Sequence, residues 1–303
     1  MTRQRTRTKK GEIAQSFSPT TPNHKYGLLP VNNITYGNPN AQQAILVEKV
    51  GNFDSIANHF MDKPYPDNDG KYAQSELSKI SEQMKNLEHT KVIEMCFKFD
   101  EDLSGMCEDI SKQCGVSNPQ EFVKSVFSDI DSIILKLKFF YNRIRPFQLA
   151  NIYQYPLNPM PTISAQSPSY PSGHTIQSKV IADILSFKYP EHSNTLEKFA
   201  GKCSKSRIIL GVHFPSDEVF GLQVATAIIK DENFRKRYLV HQTIEDSGAR
   251  NQHQQSQQQQ QQRPSQDNNQ EIFGGMPEQP TKTHQYLDES QVFGGLPTKP
   301  PNQ

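Results

Sequence analysis

The sequence predicts an all-α fold for a domain at residues 31–247, whose helical patterns begin near Ser75. Apolar residues there recur every three or four positions, which is the period of an amphipathic helix. Residues typical of helix N-termini precede several of these stretches, and residues 120–230 contain no convincing alternating strand pattern. Both ends of the chain are polar, and we expect them to stay outside this domain.

The N-terminal segments are predicted to contain little regular structure before the first helix. Residues 1–30 are basic and polar and are expected to form a flexible arm. Residues 31–72 are rich in Asn, Pro and Gly, which favours irregular structure wrapped around the domain. Helical periodicity begins near Ser75, and its apolar face contains Leu77, Ile80, Met84 and Leu87.

The strongest helix signal opens at residues 118–121, which read Asn-Pro-Gln-Glu. They supply an N-cap, a proline at the first helical position and a capping-box glutamate. Apolar residues follow at helical spacing over residues 122–137, so Lys138 lies near the end of this helix. Because Pro146 disfavours helical geometry at Arg145, the chain is expected to leave the helix between Lys138 and Arg145.

Three further helices are predicted after residue 170. The first is capped by Ser172, the second starts at Asn194 with Glu197 in the capping-box position, and the last is capped by Ser216. The second should end at Gly211. The buried stripe of the first contains Ile176, Val180, Ile184 and Phe187.

The C-terminal segment, residues 248–303, is predicted to be a disordered tail because residues 251–270 form a glutamine-rich low-complexity tract. A six-residue unit, apolar-aromatic-Gly-Gly-apolar-Pro, occurs at residues 272–277 and again at residues 292–297. Two copies are too few for a solenoid. The repeat region, residues 271–297, is either a pair of motifs for a partner protein or a compositional remnant, and the pattern favours neither.

Composition excludes several classes of function. The formal net charge is +1, so no global field favours nucleic acid or an anionic membrane. No run approaches the roughly 18 apolar residues of a membrane helix, and no apolar stretch follows the basic residues 1–10. We therefore expect a cytoplasmic or otherwise soluble protein without a signal peptide, a transmembrane segment or a nucleic-acid partner. The four cysteines do not form a metal-binding spacing.

Three short motifs, in a fixed order, supply groups that together can surround one phosphate. They contain three cations, two histidines, a hydroxyl, a glycine amide and a carboxylate. Phosphoryl transfer without a metal requires such groups to neutralise the oxygens, attack phosphorus and protonate the leaving group. The motifs are Lys138-x6-Arg145-Pro146, Ser169-Tyr170-Pro171-Ser172-Gly173-His174 and Ser206-Arg207-x5-His213-x3-Asp217.

These residues resemble the type 2 phosphatidic acid phosphatase (PAP2) superfamily, whose pattern is K-x6-RP, PSGH and SR-x5-H-x3-D. The superfamily also contains the class A non-specific acid phosphatases and the vanadium-dependent haloperoxidases. The resemblance covers about residues 120–230. The second motif, with Thr175 after His174, is most similar in sequence to the soluble acid phosphatases, although Pro168 stands where they usually have a glycine. The resemblance implies a helical bundle and a metal-independent acid phosphatase acting on small phosphomonoesters.

The resemblance also implies a role for each catalytic position. His213 is expected to attack phosphorus and form a phosphohistidine intermediate, while Asp217 orients its ring. His174 is expected to protonate the departing alkoxide and then to serve as the base for water.

The remaining motif positions are expected to hold the phosphoryl oxygens. Lys138, Arg145 and Arg207 supply positive charge, and the two arginines can bind bidentately. Ser172 supplies a hydroxyl and Gly173 an amide at a helix N-terminus, where anions are favoured. Arg143 and His192 fall outside the motif positions and are interpreted as structural or surface residues.

Three alternatives stay open at this point. A metal site could use His174, His213 and Asp217, but three nearby cations would repel a divalent metal, so no metal or other cofactor is expected. Vanadate mimics phosphate, and in the related haloperoxidases it is bound at the position matching His213; such an enzyme would oxidise halides with peroxide. The third alternative is a non-catalytic interaction protein that works through the tail.

Overall fold

The computed structural model describes residues 31–85 and 90–240, and the regular structure within these ranges is helical. The predicted all-α fold is therefore confirmed for this part of the chain. The predicted arm (1–30), the predicted tail (248–303) and Leu87 lie outside it. The first helices are α1 (Ala41–Glu48), α2 (Asp54–Phe60), α3 (Gly70–Lys85), α4 (Thr90–Glu101) and α5 (Leu103–Gln113). They are followed by α6 (Pro119–Tyr141), α7 (Pro146–Ile152), α8 (Gly173–Lys188), α9 (Ser193–Ile209) and α10 (Pro215–Lys230).

Two compact units meet in the sequence at residue 231. The helices α1 to α10 belong to the first unit, together with short 3₁₀ helices at Val31–Asn33 and Pro190–His192. Of the second unit, the structure describes α11 (Glu232–Arg235) and a π-helical turn at Lys236–Val240. The predicted domain end at residue 247 falls outside the described ranges.

The prediction of irregular structure for residues 31–72 is wrong in part, because α1 and α2 lie within that stretch. Helix α1 begins with a capping box in which Asn40 Oδ1 accepts from the Gln43 backbone N–H at 2.9 Å, and Gln43 Oε1 accepts from the Asn40 backbone N–H at 3.0 Å. Helix α2 buries Ile56 and Phe60. Short helices of this kind have too few turns to produce a periodic sequence pattern, so composition alone favoured a loop.

Helix α6 follows its prediction closely. The Asn118 side chain accepts from the backbone N–H of Glu121, with a proline in the first turn. The helix ends at Tyr141, after which Asn142 adopts a left-handed conformation with φ of 49°. Lys138 therefore lies in the last turn, and Arg145 has the extended backbone that the following proline requires.

The later helices depart from prediction at their ends. Ser172 caps α8 as expected, but Phe187 is 54% exposed, so the buried stripe ends before it. Helix α9 begins at Ser193 and ends at Ile209, and Gly211 lies beyond it with φ of 75°. The cap of α10 is Phe214 rather than Ser216, because the Ser216 backbone N–H and hydroxyl both donate to a buried glutamate.

Helix α8 is central to the first unit, since it packs against α5, α6, α9 and α10. A separate apolar cluster contains residues of α3, α7 and α9 and of the segments just before and just after α7. Because Ile144 belongs to it, the cluster fixes the chain between α6 and α7. Its buried members include Ala73, Leu77, Ile80, Ile144, Leu149, Ile208 and Phe214. These contacts bring the C-terminal ends of α6 and α9 to the N-terminal ends of α8 and α10.

Candidate active site

One cavity of about 220 Å³ collects residues from all three motifs. It lies where the end of α6, the start of α8 and the end of α9 meet. Six of the eight predicted site residues line it: Lys138, Arg145, Gly173, His174, Arg207 and His213. The other two, Ser172 and Asp217, are fully buried beside these residues: Asp217 bonds to His213, and the Ser172 backbone N–H donates to the Asp217 backbone oxygen.

The His213 ring is held at both nitrogens. Its Nδ1 lies 3.0 Å from Asp217 Oδ2, and its Nε2 lies 3.0 Å from an Nη atom of Arg145. A guanidinium only donates hydrogen bonds, so Nε2 accepts and Nδ1 carries the proton that is donated to the carboxylate. The Nε2 lone pair therefore points toward a cation in the cavity, where an electrophilic phosphorus would stand.

The Asp217 carboxylate is fully buried and accepts three hydrogen bonds. Besides His213, the Phe214 backbone N–H donates to Oδ2 at 2.8 Å and Arg143 donates to Oδ1 at 2.8 Å. Asp217 lies one helical turn after His213, so the first turn of α10 sets their relative position. The Asp217 side chain is thus fixed by three donors.

Arg143 extends this network away from the cavity. It is fully buried, donates to Glu76 at 3.0 Å and to the Ser216 hydroxyl at 2.7 Å, and stacks on the Phe214 ring with its guanidinium carbon 4.0 Å from the ring centroid. The surface interpretation of Arg143 is wrong and the structural one holds. No motif marked Glu76, because it lies on α3, far from the motifs in sequence.

Two of the three motif cations donate to backbone carbonyls of the loop before α8. Lys138 Nζ lies 2.6 Å from the Pro168 oxygen, and the Arg145 guanidinium donates to Ser167 at 2.7 and 2.9 Å. Burial, followed by the charge of Arg145, lowers the pKa of Lys138 well below its ordinary value. Burial likewise lowers the pKa of Arg145 to about 10. An anion bound in the cavity would raise both pKa values again.

Arg207 has buried nitrogen atoms that form no hydrogen bond within the described part of the chain. One Nη forms an ion pair with Asp100 at 2.9 Å and donates to the Ser164 hydroxyl at 2.8 Å. Its Nε and its other Nη are buried and have no hydrogen-bond partner among the described residues. Buried donors without partners are costly, and a phosphoryl oxygen is the kind of acceptor that would satisfy them.

The N-terminus of α8 forms the wall next to the cations. Ser172 caps the helix: its Oγ accepts from the Thr175 hydroxyl at 2.9 Å and from the Thr175 backbone N–H. A Cβ on Gly173 would lie 3.3 Å from Ile134 Cγ2 and 3.6 Å from Lys138 Cε. Glycine therefore lets the helix N-terminus, with its free N–H groups, come close to Lys138.

His174 has the opposite ring arrangement to His213. Its Nε2 lies 3.1 Å from the Phe99 carbonyl oxygen, which can only accept, so this nitrogen carries a proton and Nδ1 is left to exchange one. Burial, then the charge of Arg207 and His213, lowers the pKa of His174 well below its ordinary value. Burial and the charge of Arg145 do the same for the pKa of His213. Both rings are therefore neutral in the ligand-free cavity near neutral pH.

The rest of the cavity wall was not predicted from the sequence. Asp131 and Gln177 line it, joined by a hydrogen bond of 2.8 Å from Gln177 Nε2 to Asp131 Oδ1. Both residues lie on helices that carry motif residues. Asp131 is about two turns before Lys138 on α6, and Gln177 is about one turn after Gly173 on α8, so helical spacing could have identified both as cavity residues. The remaining lining residues are Leu46, Ile134, Leu135, Ser164 and Ser167.

Three features outside the cavity bear on the sequence predictions. Within residues 31–85 and 90–240, no cluster of three or more His, Cys, Asp or Glu side chains could hold a metal ion. In the same ranges, no helix has the length and apolar character needed to cross a membrane. The four cysteines are buried and unpaired by disulfides.

A comparison with protein families points to the same segment as the motifs. Residues 123–231 match the model of the PAP2 superfamily. A non-specific acid phosphatase of Salmonella typhi is 38% identical over 80 residues, which are 26% of this chain and 32% of that protein. A non-specific acid phosphatase of Salmonella typhimurium is 36% identical over 80 residues, with the same shares. This chain therefore spans about a third of the length of the curated relatives it matches.

Among solved structures, a transmembrane PAP2-type phosphatidylglycerolphosphate phosphatase from Bacillus subtilis shows 20% sequence identity and a TM-score of 0.36. The superposition covers 58% of this chain and 88% of that one. The sequence matches confirm the predicted resemblance to the PAP2 superfamily and to the non-specific acid phosphatases.

Proposed function

We propose that the protein is a metal-independent acid phosphatase acting on small phosphomonoesters, from the premise that residues 123–231 match the model of the PAP2 superfamily. The observation that carries the proposal is the cavity: His213 Nε2, His174 and the side chains of three basic residues face one space of about 220 Å³. The two Salmonella relatives, which are named non-specific acid phosphatases, support the same reaction class.

In the first step, His213 Nε2 attacks phosphorus. An N–P bond forms while the P–O bond to the alcohol breaks, and the electron pair of that bond goes to the alcohol oxygen. His174, which is protonated in the complex because the substrate's negative charge offsets the surrounding cations, donates the Nδ1 proton to this oxygen, and the alcohol leaves. The proton on His213 Nδ1 stays in its hydrogen bond to Asp217, which stabilises the positive charge on the phosphorylated ring.

In the second step, water replaces the histidine. His174, now neutral, takes a proton from a water molecule whose oxygen attacks phosphorus, and the N–P bond breaks with its electron pair returning to His213 Nε2. Inorganic phosphate leaves and both histidines regain their starting states. Lys138, Arg145 and Arg207 bind the phosphoryl oxygens through both steps, since these oxygens keep their negative charge throughout.

Metal independence is part of the proposal and follows from the charge of the cavity wall. Two arginines and a lysine line the same small space, with the unpaired donors of Arg207 among them. Their charge repels a divalent cation and attracts a tetrahedral anion. The task that a metal ion performs in other phosphatases, neutralising phosphoryl oxygens, is assigned here to these three side chains.

The test is the release of para-nitrophenol from its phosphate ester between about pH 4 and about pH 8, with a chelator present. We expect turnover that survives the chelator and disappears in a His213→Ala variant. A His192→Ala variant, changed outside the cavity, should retain the rate. Turnover that requires an added divalent metal, or an equal rate in the His213 variant, would contradict the proposal.

The covalent intermediate needs its own measurement. With methanol added, a phosphoenzyme divides between water and methanol after the first alcohol has left. The ratio of methyl phosphate to inorganic phosphate should therefore be the same for every aryl phosphate supplied. A ratio that changes with the leaving group would indicate direct attack by water without a phosphohistidine.

A further inference from the structure

The cavity is chemically two-sided. The motif residues place positive charge at the end of α6 and the start of α8, while Asp131 and Gln177 line the same cavity elsewhere on these two helices. Asp131 precedes Lys138 by seven residues, which corresponds to about 10 Å along the helix axis. Gln177 follows Gly173 by four residues, which is about one turn. A phosphomonoester bound at the cations would extend its alcohol toward this pair.

Asp131 is a hydrogen-bond acceptor with remaining capacity. Gln177 provides its one side-chain hydrogen bond among the described residues, and a carboxylate can accept about four. Burial raises the pKa of Asp131 to about 6, opposed by Gln177 and by the charge of Lys49 at the end of α1. Above that pH the group carries a negative charge, and its Gln177 bond holds it in one orientation.

The surfaces between the two ends of the cavity are apolar. Ile134 and Leu135 occupy the turn of α6 between Asp131 and Lys138, and Leu46 of α1 contributes from the other side. Such a wall accommodates the carbon atoms of an alcohol but provides no hydrogen bonds for its polar groups. The polar recognition available on this side of the cavity therefore comes from Asp131 and Gln177.

We propose that Asp131 and Gln177 form the leaving-group subsite, and that this subsite selects phosphomonoesters whose small alcohol carries a hydrogen-bond donor near the ester oxygen. The inference rests on the proposed phosphatase function and adds the class of substrate. The donor can be a hydroxyl or an ammonium group, since a carboxylate accepts from both. An alcohol without a donor would leave the Asp131 carboxylate without a partner for its remaining lone pairs.

The first experiment compares kcat/KM for phosphoethanolamine, glycerol 1-phosphate and propyl phosphate, with para-nitrophenyl phosphate as the reference. We expect the first two to exceed propyl phosphate by about tenfold or more, the scale of a hydrogen bond to a charged group. In Asp131→Asn the advantage of the ammonium substrate should fall about tenfold, while propyl phosphate changes little. The hydroxyl substrate should lose less, because an amide oxygen still accepts a hydrogen bond.

Asp129→Asn is the matched control, because it makes the same chemical change on the same helix at a position that does not line the cavity. It should keep the wild-type order of substrates. Equal rates for all three alkyl phosphates in the wild type would overturn the subsite. So would an Asp131→Asn variant that loses the same factor for every substrate.

A binding measurement separates failure of the subsite from failure of the phosphatase reaction. The thermal shift caused by 2-aminoethylphosphonate should exceed that caused by propylphosphonate, and the difference should vanish in Asp131→Asn and become smaller in Gln177→Met, where the carboxylate loses its orienting donor. This measurement needs no turnover, and either variant suffices if the other does not fold. Identical shifts in the wild type would overturn the subsite. If the protein does not hydrolyse para-nitrophenyl phosphate but the two phosphonates still give different thermal shifts, the phosphatase reaction is overturned and the subsite is not.

Discussion

At the scale of single residues, the two site histidines differ in which ring nitrogen carries the proton. His213 donates from Nδ1 to Asp217, so its lone pair is on Nε2, the nitrogen that accepts from Arg145 and is proposed as the nucleophile. His174 donates from Nε2 to the Phe99 carbonyl, so Nδ1 is left for proton transfer. Backbone and carboxylate acceptors thus divide two chemically identical side chains between two roles.

The role of His174 can be tested by varying the leaving group. A His174→Asn variant should hydrolyse propyl phosphate about 100- to 10,000-fold more slowly than the wild type, because an alkoxide leaves poorly without a proton. It should lose far less toward para-nitrophenyl phosphate, whose leaving group needs little protonation. Steady-state rates on both esters give the comparison, with His192→Asn as the control. Equal losses on the two esters would count against His174 as the general acid.

The pH dependence of turnover follows from the cations around His174. Their charge and burial lower its pKa in the ligand-free cavity, and a bound phosphoryl dianion offsets the cations and raises it again. His174 must be protonated to donate, and it loses its proton as the pH rises through its pKa. We therefore expect kcat, which reports the complex, to decline at a higher pH than kcat/KM, which reports the free enzyme. Coincident declines in the two profiles would contradict this coupling.

The three motifs meet at one cavity, but the residues that support them could not be predicted from the motifs. Each motif fixes residue types at a short spacing. Six of the eight site residues predicted from the three motifs together line one cavity. Arg143 looked ordinary because nothing in sequence reveals that it bonds to Asp217 and to Glu76. Asp100, the partner of Arg207, lies on α4 and has no signature at all. Contacts between distant segments form only when the chain is folded.

At the scale of helices, prediction succeeded where the local signal and the tertiary packing agree. Helix α6 has a side-chain cap and a long periodic face, and it formed as predicted. The predicted Ser216 cap of α10 is wrong. The Ser216 hydroxyl and backbone N–H both donate to Glu76 of α3, so Ser216 bonds to a distant residue rather than to its own helix. Phe187 was assigned to a buried stripe by spacing, but near the end of α8 its side chain is largely exposed.

The link between α3 and α10 gives a prediction at this scale. In Glu76→Gln, the neutral amide replaces a carboxylate that bonds to Arg143 and Ser216, and one side of a buried ion pair is lost. The free energy of unfolding should fall by about 3 kcal/mol or more. In the folded fraction kcat should fall more than KM rises, because Arg143 also positions Asp217 behind the nucleophile.

Urea unfolding and steady-state kinetics measure the two effects. Glu82→Gln is the matched control, since it makes the same change at an exposed position of α3. Arg143→Lys should recover part of the stability lost in Arg143→Ala, because it keeps the charge, but little of the kcat, because an ammonium group cannot reproduce the planar set of donors. A Glu76→Gln variant that unfolds like the wild type would show that the buried pair contributes no net stability.

At the scale of the whole molecule, the site depends on residues outside the segment that matches the PAP2 family model. Phe99 and Asp100 of α4 contact His174 and Arg207, Glu76 of α3 supports α10, and Leu46 of α1 lines the cavity. All four precede residue 123, where the PAP2 match begins. The matched segment contains the proposed reacting groups, and the preceding helices contact them and line part of the cavity.

The ligand-free cavity also affects stability and its dependence on pH. The folded-state pKa of both site histidines lies below the ordinary value of 6.5, so the unfolded chain binds more protons than the folded one as the pH falls below about 6.5. This contribution to stability is present above that pH and is lost as the pH falls through it toward the lower folded-state pKa. A bound anion raises the folded-state pKa and thereby reduces the loss.

Inorganic phosphate, or vanadate as its tetrahedral mimic, should therefore raise the melting temperature, and by more at pH 5.5 than at pH 8 when each is supplied at the same concentration at both pH values. At about 100 times Kd the stabilisation amounts to about 2.7 kcal/mol. Arg207→Gln should remove most of the shift, because it deletes the buried donors that lack a partner in the described structure. Lys198→Gln, at an exposed position of the same helix, should leave the shift intact. Equal shifts in the two variants would show that the anion binds elsewhere.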